Sequence, residues 1–288
     1  MAVLWGIPYL LIRVAVRQLD PGVLVLARTG PAALLLVPVV LHQRSWPAVG
    51  RHLKWIAIFG VVEFGVPWYF MSNAEQHITS SLTSLIICAV PLFSILASRF
   101  TRAPEAIGPR RALGLAVGAA GVALLVGLDL QGGNIRWIGY LLVVCVGYAT
   151  GPLILGTKLR DVPGPAVVCG ATGIVALCWL PYDLGHWPTR ISGETWTSVA
   201  VLSVLCTAGA FLVFFELVKE VGSSRSVVVV YSNTALAVIL GVIGLHEPFT
   251  VGIALGFPLI VVGSYLATGV GRVGEHHVRG DANLAVHE

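Results

Sequence analysis

Long stretches almost free of charge recur along the chain, and their length is what most restricts its fold. A bilayer core of about 30 Å takes roughly 20 helical residues to cross. Ten runs approach or reach that length, at 2–16, 21–41, 55–73, 80–98, 112–128, 137–157, 163–182, 195–218, 226–245 and 250–270. Strands of a membrane barrel would alternate polarity over about 10 residues, whereas these runs are continuous. With 56% hydrophobic and 11% charged residues and a mean hydropathy of +0.86, the chain lies far from the roughly 25% charged composition of soluble domains. Soluble, fibrous, disordered, disulfide-scaffold and nucleic-acid-binding classes are excluded together. The expectation is an all-α integral membrane protein with ten transmembrane helices in a lipid bilayer, with no nucleic acid partner.

The net charge of +4 follows the orientation pattern of membrane proteins. With the N-terminus inside, the inner connections carry 13 Lys and Arg and the outer ones 3, Arg13 and Arg28 lying within spans. Lys and Arg accumulate on the cytoplasmic side, so both termini are expected in the cytoplasm of a cell-membrane protein. Cys88, Cys145, Cys169, Cys178 and Cys206 all fall in apolar runs without ligand spacing, and read as small apolar fillers. No basic segment precedes the first apolar run, so no cleaved signal peptide is expected.

The two halves echo each other. Pro8 and Pro21 recur 144 positions on as Pro152 and Pro165, and Ser80-Ser81 recurs 143 on as Ser223-Ser224. Glu105, Gly114, Gly121 and Gly127 recur 142 on as Glu247, Gly256, Gly263 and Gly269. Five helices per half is odd, so the second half enters the membrane from the opposite side, as in the inverted repeats of secondary transporters. The expected division is a first repeat at 1–130, a second at 131–270 and a polar, disordered cytoplasmic tail at 271–288.

Several residues now take on a familiar order. Trp5-Gly6 followed by Arg13, and Pro21 followed by Arg28, resemble the start of the first repeat in the EamA family of the drug/metabolite transporter superfamily. Pro91 in SSLTSLIICAVPLFSIL resembles that family's fourth helix, and Glu247 with Gly256 and Gly263 resembles the end of its second repeat. The resemblance spans roughly residues 1–270. It implies a ten-helix fold of two EamA-like repeats and export or exchange of small metabolites. In similar proteins the Trp-Gly pair follows several apolar residues; here it stands at positions 5 and 6, which leaves the first span short.

Ionisable groups inside a bilayer are costly and so point to function. Glu63 lies eight residues after Trp55, about 12 Å along the helix and near mid-membrane. It could bind a coupling proton or a cationic group, or be paired with an Arg or bonded to a carbonyl. Arg28, about 10 Å below the outer face, reads as an anion site, a gate partner of Glu63, or a structural ion-pair partner. Arg13 is expected to snorkel to the outer headgroups, and Glu75, ending the third span, to be solvated. Aromatic and polar residues suited to line a midplane pocket are Trp5, Tyr9, Trp68, Tyr69, Asn73, Tyr148, Phe211, Phe215, Tyr231 and Asn233. Trp68 and Tyr69 could equally form an interfacial belt, and Asn233 could bond another helix. Gly114-x3-Gly118 and Gly252-x3-Gly256 permit close packing, either internally or at a homodimer face.

These readings favour a secondary transporter of a small amino acid-like or other polar, amphipathic metabolite, with a proton as a candidate coupling ion. A passive small-solute channel is the alternative. An intramembrane enzyme is disfavoured: no histidine falls within an apolar run, no catalytic residue stands out, and no metal, cofactor or nucleotide motif is present.

Overall fold

The computed structural model describes residues 1–98, 108–129, 135–221 and 228–268. The repeat marks Glu105, Ser223, Ser224 and Gly269, the cations Arg99, Arg102 and Arg225, and the tail from Gly271 lie outside the described residues. Among those described, every regular element is helical.

The chain forms α1 (Ala2–Ala15), α2 (Pro21–His42), a short helix at Trp46–Arg51, α3 (Leu53–Glu75), α4 (Ser80–Ala97) and α5 (Pro109–Asp129). It continues through α6 (Ile135–Lys158), α7 (Gly164–Asp183), α8 (Gly193–Leu217), α9 (Val228–Gly244) and α10 (Val251–Thr268). Starts are fixed locally. Asp20 accepts the Gly22 amide at 2.8 Å with Pro21 following it, Thr79 accepts the Leu82 amide at 3.2 Å, and Ser192 accepts the Thr195 amide at 3.3 Å. Each side chain satisfies an amide that the first helical turn leaves unpaired. Six helices, α2, α3, α4, α6, α7 and α8, are long and apolar enough to cross a membrane. Three further apolar helices, Ala2–Ala15, Tyr231–Gly244 and Val251–Leu266, are shorter.

Two helices contain a π-helical turn, Val61–Gly65 in α3 and Val204–Gly209 in α8, beginning 143 positions apart. A π turn fits an extra residue into the helix and shifts the phase of the side chains beyond it. Helix contacts share this symmetry. α2 packs on α7, α4 on α9 and α5 on α10; α1 packs on α8 and α9, while α6 packs on α3 and α4. Exchanging α1–α5 with α6–α10 leaves that pattern unchanged.

The small-residue stripes are consumed internally. A Cβ on Gly256 would stand 2.8 Å from the Leu125 Cβ and 3.0 Å from the Gly121 carbonyl oxygen, and one on Gly263 would strike the Gly118 backbone. The α5 glycines therefore face α10 rather than an outer dimer surface. Gly263→Leu forces this contact apart, and overpacking of this kind typically costs about 1–3 kcal/mol. A lowered melting temperature in detergent is the expected result; an unchanged one contradicts the contact.

One polar tie joins the halves at the end of the bundle where α3 meets α4. Glu247, in the α9–α10 connection and 9% exposed, accepts four hydrogen bonds from the first residues of α4. Its Oε1 takes the Ser80 amide at 2.8 Å and the Ser80 hydroxyl at 2.9 Å; its Oε2 takes the Ser81 amide at 3.0 Å and the Ser81 hydroxyl at 2.6 Å. A carboxylate here satisfies the free amides of a helix start and meets the positive end of its dipole.

Candidate functional site

The interior is organised around Arg28, 6% exposed on α2. Its Nε donates to the Thr207 hydroxyl at 2.9 Å, and its guanidinium carbon lies 3.5 Å from the Trp68 ring centroid. A planar cation over an indole face in a dry site is an attractive pairing of about 2 kcal/mol. Among the described residues no carboxylate forms an ion pair with it. Of the readings open for Arg28, neither the gate pair with Glu63 nor a structural ion pair is formed among the described residues. Aromatic stacking and a hydroxyl hold the cation, and its Nη donors have no partner among the described residues.

The π turn of α8 sets this geometry. Thr207 lies within it and donates its own proton to the Leu202 carbonyl at 2.8 Å, five residues back. Its oxygen is thereby turned toward Arg28 as an acceptor. Just before the turn, the Ser203 hydroxyl donates to the Arg28 carbonyl oxygen at 3.0 Å. At the positions 143 earlier and later, Gly60 lies against the backbone of Ala171, where a Cβ would come within 2.9 Å of the carbonyl oxygen. The same crossing is thus polar around Arg28 and bare around Ala171. Thr207→Val keeps the volume but leaves Nε without its acceptor. Losing a hydrogen bond to a charged group costs about 1.5–3 kcal/mol, and the melting temperature should fall; no change would mean that the bond is not formed.

Aromatic rings close the space beside Arg28. Phe64 contacts Trp68 at 5.0 Å and Phe211 at 5.4 Å, Trp5 contacts Phe211 at 5.8 Å and Phe214 at 4.9 Å, and Phe211 contacts Phe215 at 6.2 Å. Tyr148 of α6 stands within electrostatic range of both Arg28 and Glu63, and Tyr9 of α1 stands beside Tyr148. Asn233 is 7% exposed on α9 where that helix crosses α1 at Gly6, and its Oδ1 accepts from Thr234 at 3.3 Å. Tyr231 packs partly buried on the same core.

The structure thus gathers Trp5, Tyr9, Arg28, Trp68, Tyr148, Phe211 and Phe215. Two residues point elsewhere. Tyr69 stacks on Trp179 of α7 at 4.8 Å and lines an apolar cleft of about 140 Å³ with Val61, Gly65 and Cys178. Asn73 bonds back to the Tyr69 carbonyl at 3.0 Å. Glu63 lies in the α3 π turn against Gly151 of α6, half-buried, its Oε2 without a hydrogen-bond partner among the described residues. Arg13 is not a free snorkelling cation, since its guanidinium donates to the Glu75 carbonyl oxygen. Glu75 itself is 0% exposed rather than solvated. Thr207, Ser203, Phe64 and Phe214 were not singled out from sequence, because nothing in their local pattern marks a π turn.

Apolar helices long enough to cross a bilayer, with a cation buried among them, mark a membrane protein in fold. The chain belongs to the EamA-like transporter family, whose model matches residues 1–127 and 135–269. An uncharacterized transporter of Bacillus subtilis, YvbV, is 25% identical over 91% of this chain and 87% of its own length. The uncharacterized inner membrane transporter YedA of Escherichia coli K12 is 25% identical over 83% and 78%. An uncharacterized transporter of Archaeoglobus fulgidus is 24% identical over 91% and 94%. A crystal structure shares the fold with a TM-score of 0.66 at 19% identity, covering 94% of this chain and 95% of that one.

Proposed function

We propose that the chain is a secondary transporter for a small amphipathic solute carrying a carboxylate or another anionic group, an amino acid-like metabolite being the simplest case. It works by alternating access as an exporter or exchanger. The observation that carries this reading is Arg28, a buried cation with uncommitted Nη donors beside a wall of aromatic rings. A ligand that offers an anion to the guanidinium and an apolar body to Trp68, Phe64 and Phe211 would meet both demands. The rings exclude water, which strengthens the ionic contact.

The architecture proposed to operate on this site is ten membrane spans in two inverted five-helix repeats, residues 1–130 and 131–270. Supporting it are the exchange symmetry of the helix contacts, the π turns 143 positions apart and a family model that matches twice. The excess of Lys and Arg in alternate connections supports a cell-membrane location with both ends in the cytoplasm.

Counterflow in proteoliposomes tests the reading. Vesicles loaded with carboxylate solutes should draw in labelled solute in a saturable way, and the neutral amide of the best solute should be poorly exchanged. Rapid flux without saturation would replace the carrier by a channel. Exchange indifferent to the anionic group would remove Arg28 from the binding site.

A further inference from the structure

The last residue of α3 is a carboxyl group enclosed by the protein. Glu75 is 0% exposed, and among the described residues neither of its carboxyl oxygens has a hydrogen-bond partner. Its backbone is better served, for the Glu75 carbonyl accepts the Arg13 guanidinium. The neighbours are few and identifiable. Arg13 of α1 touches its backbone, and Tyr9 of α1, Arg28 of α2 and Glu247 of the α9–α10 connection lie within electrostatic range of it. Tyr9 in turn lies within electrostatic range of Tyr148 and Cys145 of α6 and of Cys88 of α4.

Two neighbouring carboxyls thus have opposite surroundings. Glu247 receives four donors from Ser80 and Ser81, whereas Glu75 receives none. A carboxylate ion withdrawn from water and given no donor is strongly disfavoured, and a second carboxylate nearby adds repulsion. Of the two, Glu75 is the carboxyl that the fold encloses without giving it a donor among the described residues. Arg13, bonded to the Glu75 carbonyl, also lines a cavity of about 400 Å³ with Val16, Arg17, Gln76 and His77.

From this geometry we propose that Glu75 is the exchangeable-proton site of the carrier, filled and emptied past Arg13 and coupled to solute through Arg28. The inference rests on the carrier reading above and deepens it. The step balances by itself: a proton from water forms an O–H bond on the Glu75 carboxyl at one access face and leaves to water at the other. Arg28 supplies the coupling. An anion bound there offsets the positive charge that favours the Glu75 carboxylate, so anion and proton occupancies rise together. By linkage, each raises the affinity for the other. An organic acid then crosses together with its proton.

The test has a transport arm and an arm independent of transport. In the first, Glu75→Gln should retain counterflow at equal pH and lose the response of solute flux to a pH gradient. Glu194→Gln, a change at an exposed site, should retain both. A Glu75→Gln protein that still responds to the gradient overturns the proposal, and so does one that melts normally but has lost counterflow. In the second arm, dicyclohexylcarbodiimide is added to the wild-type protein in nanodiscs. This apolar reagent labels carboxyls that carry a proton, and peptide mass spectrometry should find the adduct on Glu75, diminishing as pH rises. An unlabelled Glu75 peptide overturns the proton site without reference to any substituted variant. Should no solute show counterflow while Glu75 is labelled, the carrier reading fails and the proton site stands. Normal counterflow with no label removes the proton site and leaves the carrier reading in place.

Discussion

Arg28→Met is expected to raise the half-saturation concentration for an anionic solute sharply while leaving the fold intact. Methionine keeps the apolar stem but gives up the stacking of the guanidinium on Trp68 and the bond to Thr207, and among the described residues it strands no carboxylate. The melting temperature should therefore fall modestly, while the loss of affinity is read separately from counterflow. A hydrogen bond to a charged group contributes about 1.5–3 kcal/mol, which weakens apparent affinity roughly 10- to 150-fold. Arg28→Lys should retain part of the binding, since a point charge replaces a planar fork that both stacks and offers paired donors. Counterflow titrations check the order wild type, Lys, Met, alongside a melting curve for each variant. A Met variant that exchanges the solute with wild-type affinity would show that the anion binds elsewhere.

Glu247→Ala is expected to show the second large effect, on stability and closure together. Removing the carboxylate leaves two amides and two hydroxyls at the start of α4 without acceptors, in a buried setting. Breaking a buried charged cluster by deleting one partner typically costs about 3–5 kcal/mol. The melting temperature should fall markedly, and less for Glu247→Gln, whose amide can still accept at one oxygen. The same bonds hold the α9–α10 connection onto α4, so weakening them should also loosen that end of the bundle. Cys88 is 0% exposed and lies just past the first segment of α4. In a Cys178→Ser background, its reaction with an impermeant maleimide should speed up when Glu247 is changed. An unchanged rate together with an unchanged melting curve would mean that the four bonds contribute nothing to closure.

The helical class was legible in the sequence because a bilayer imposes length and apolarity on any segment that crosses it, and that demand is written in single residues. The bundle interior was legible in part for the same reason. A charge or a cluster of rings in an apolar run is costly or conspicuous, which picked out Arg28, Trp5, Trp68 and Phe211. Partnerships were harder. Residue types alone offer Glu63 to Arg28, because opposite charges at similar depth attract. The π turns decide otherwise, by bringing Thr207 to Arg28 and setting Glu63 against Gly151, and no residue pattern announces a π turn.

Glu75 was misread for a different reason. The end of an apolar run normally meets water, but here the connection to α4 is short, and Glu75 is 0% exposed with Arg13 of α1 bonded to its carbonyl. Ser80-Ser81 and Glu247 stand out in the sequence as marks of internal repetition and of the family resemblance. That they bond to each other is a fact of the folded bundle, which brings together residues 166 and 167 positions apart.

The inequality between the two copies of one helix crossing bears on stoichiometry. Where α8 meets α2 there is a cation with a hydroxyl to steady it; where α3 meets α7 there is bare backbone against Gly60. A protein whose halves mirrored each other fully would have two berths for its cargo. On the carrier reading proposed above, the berth at Arg28 where α8 meets α2 has no counterpart where α3 meets α7, and the forward and return strokes of such a carrier would differ in energy.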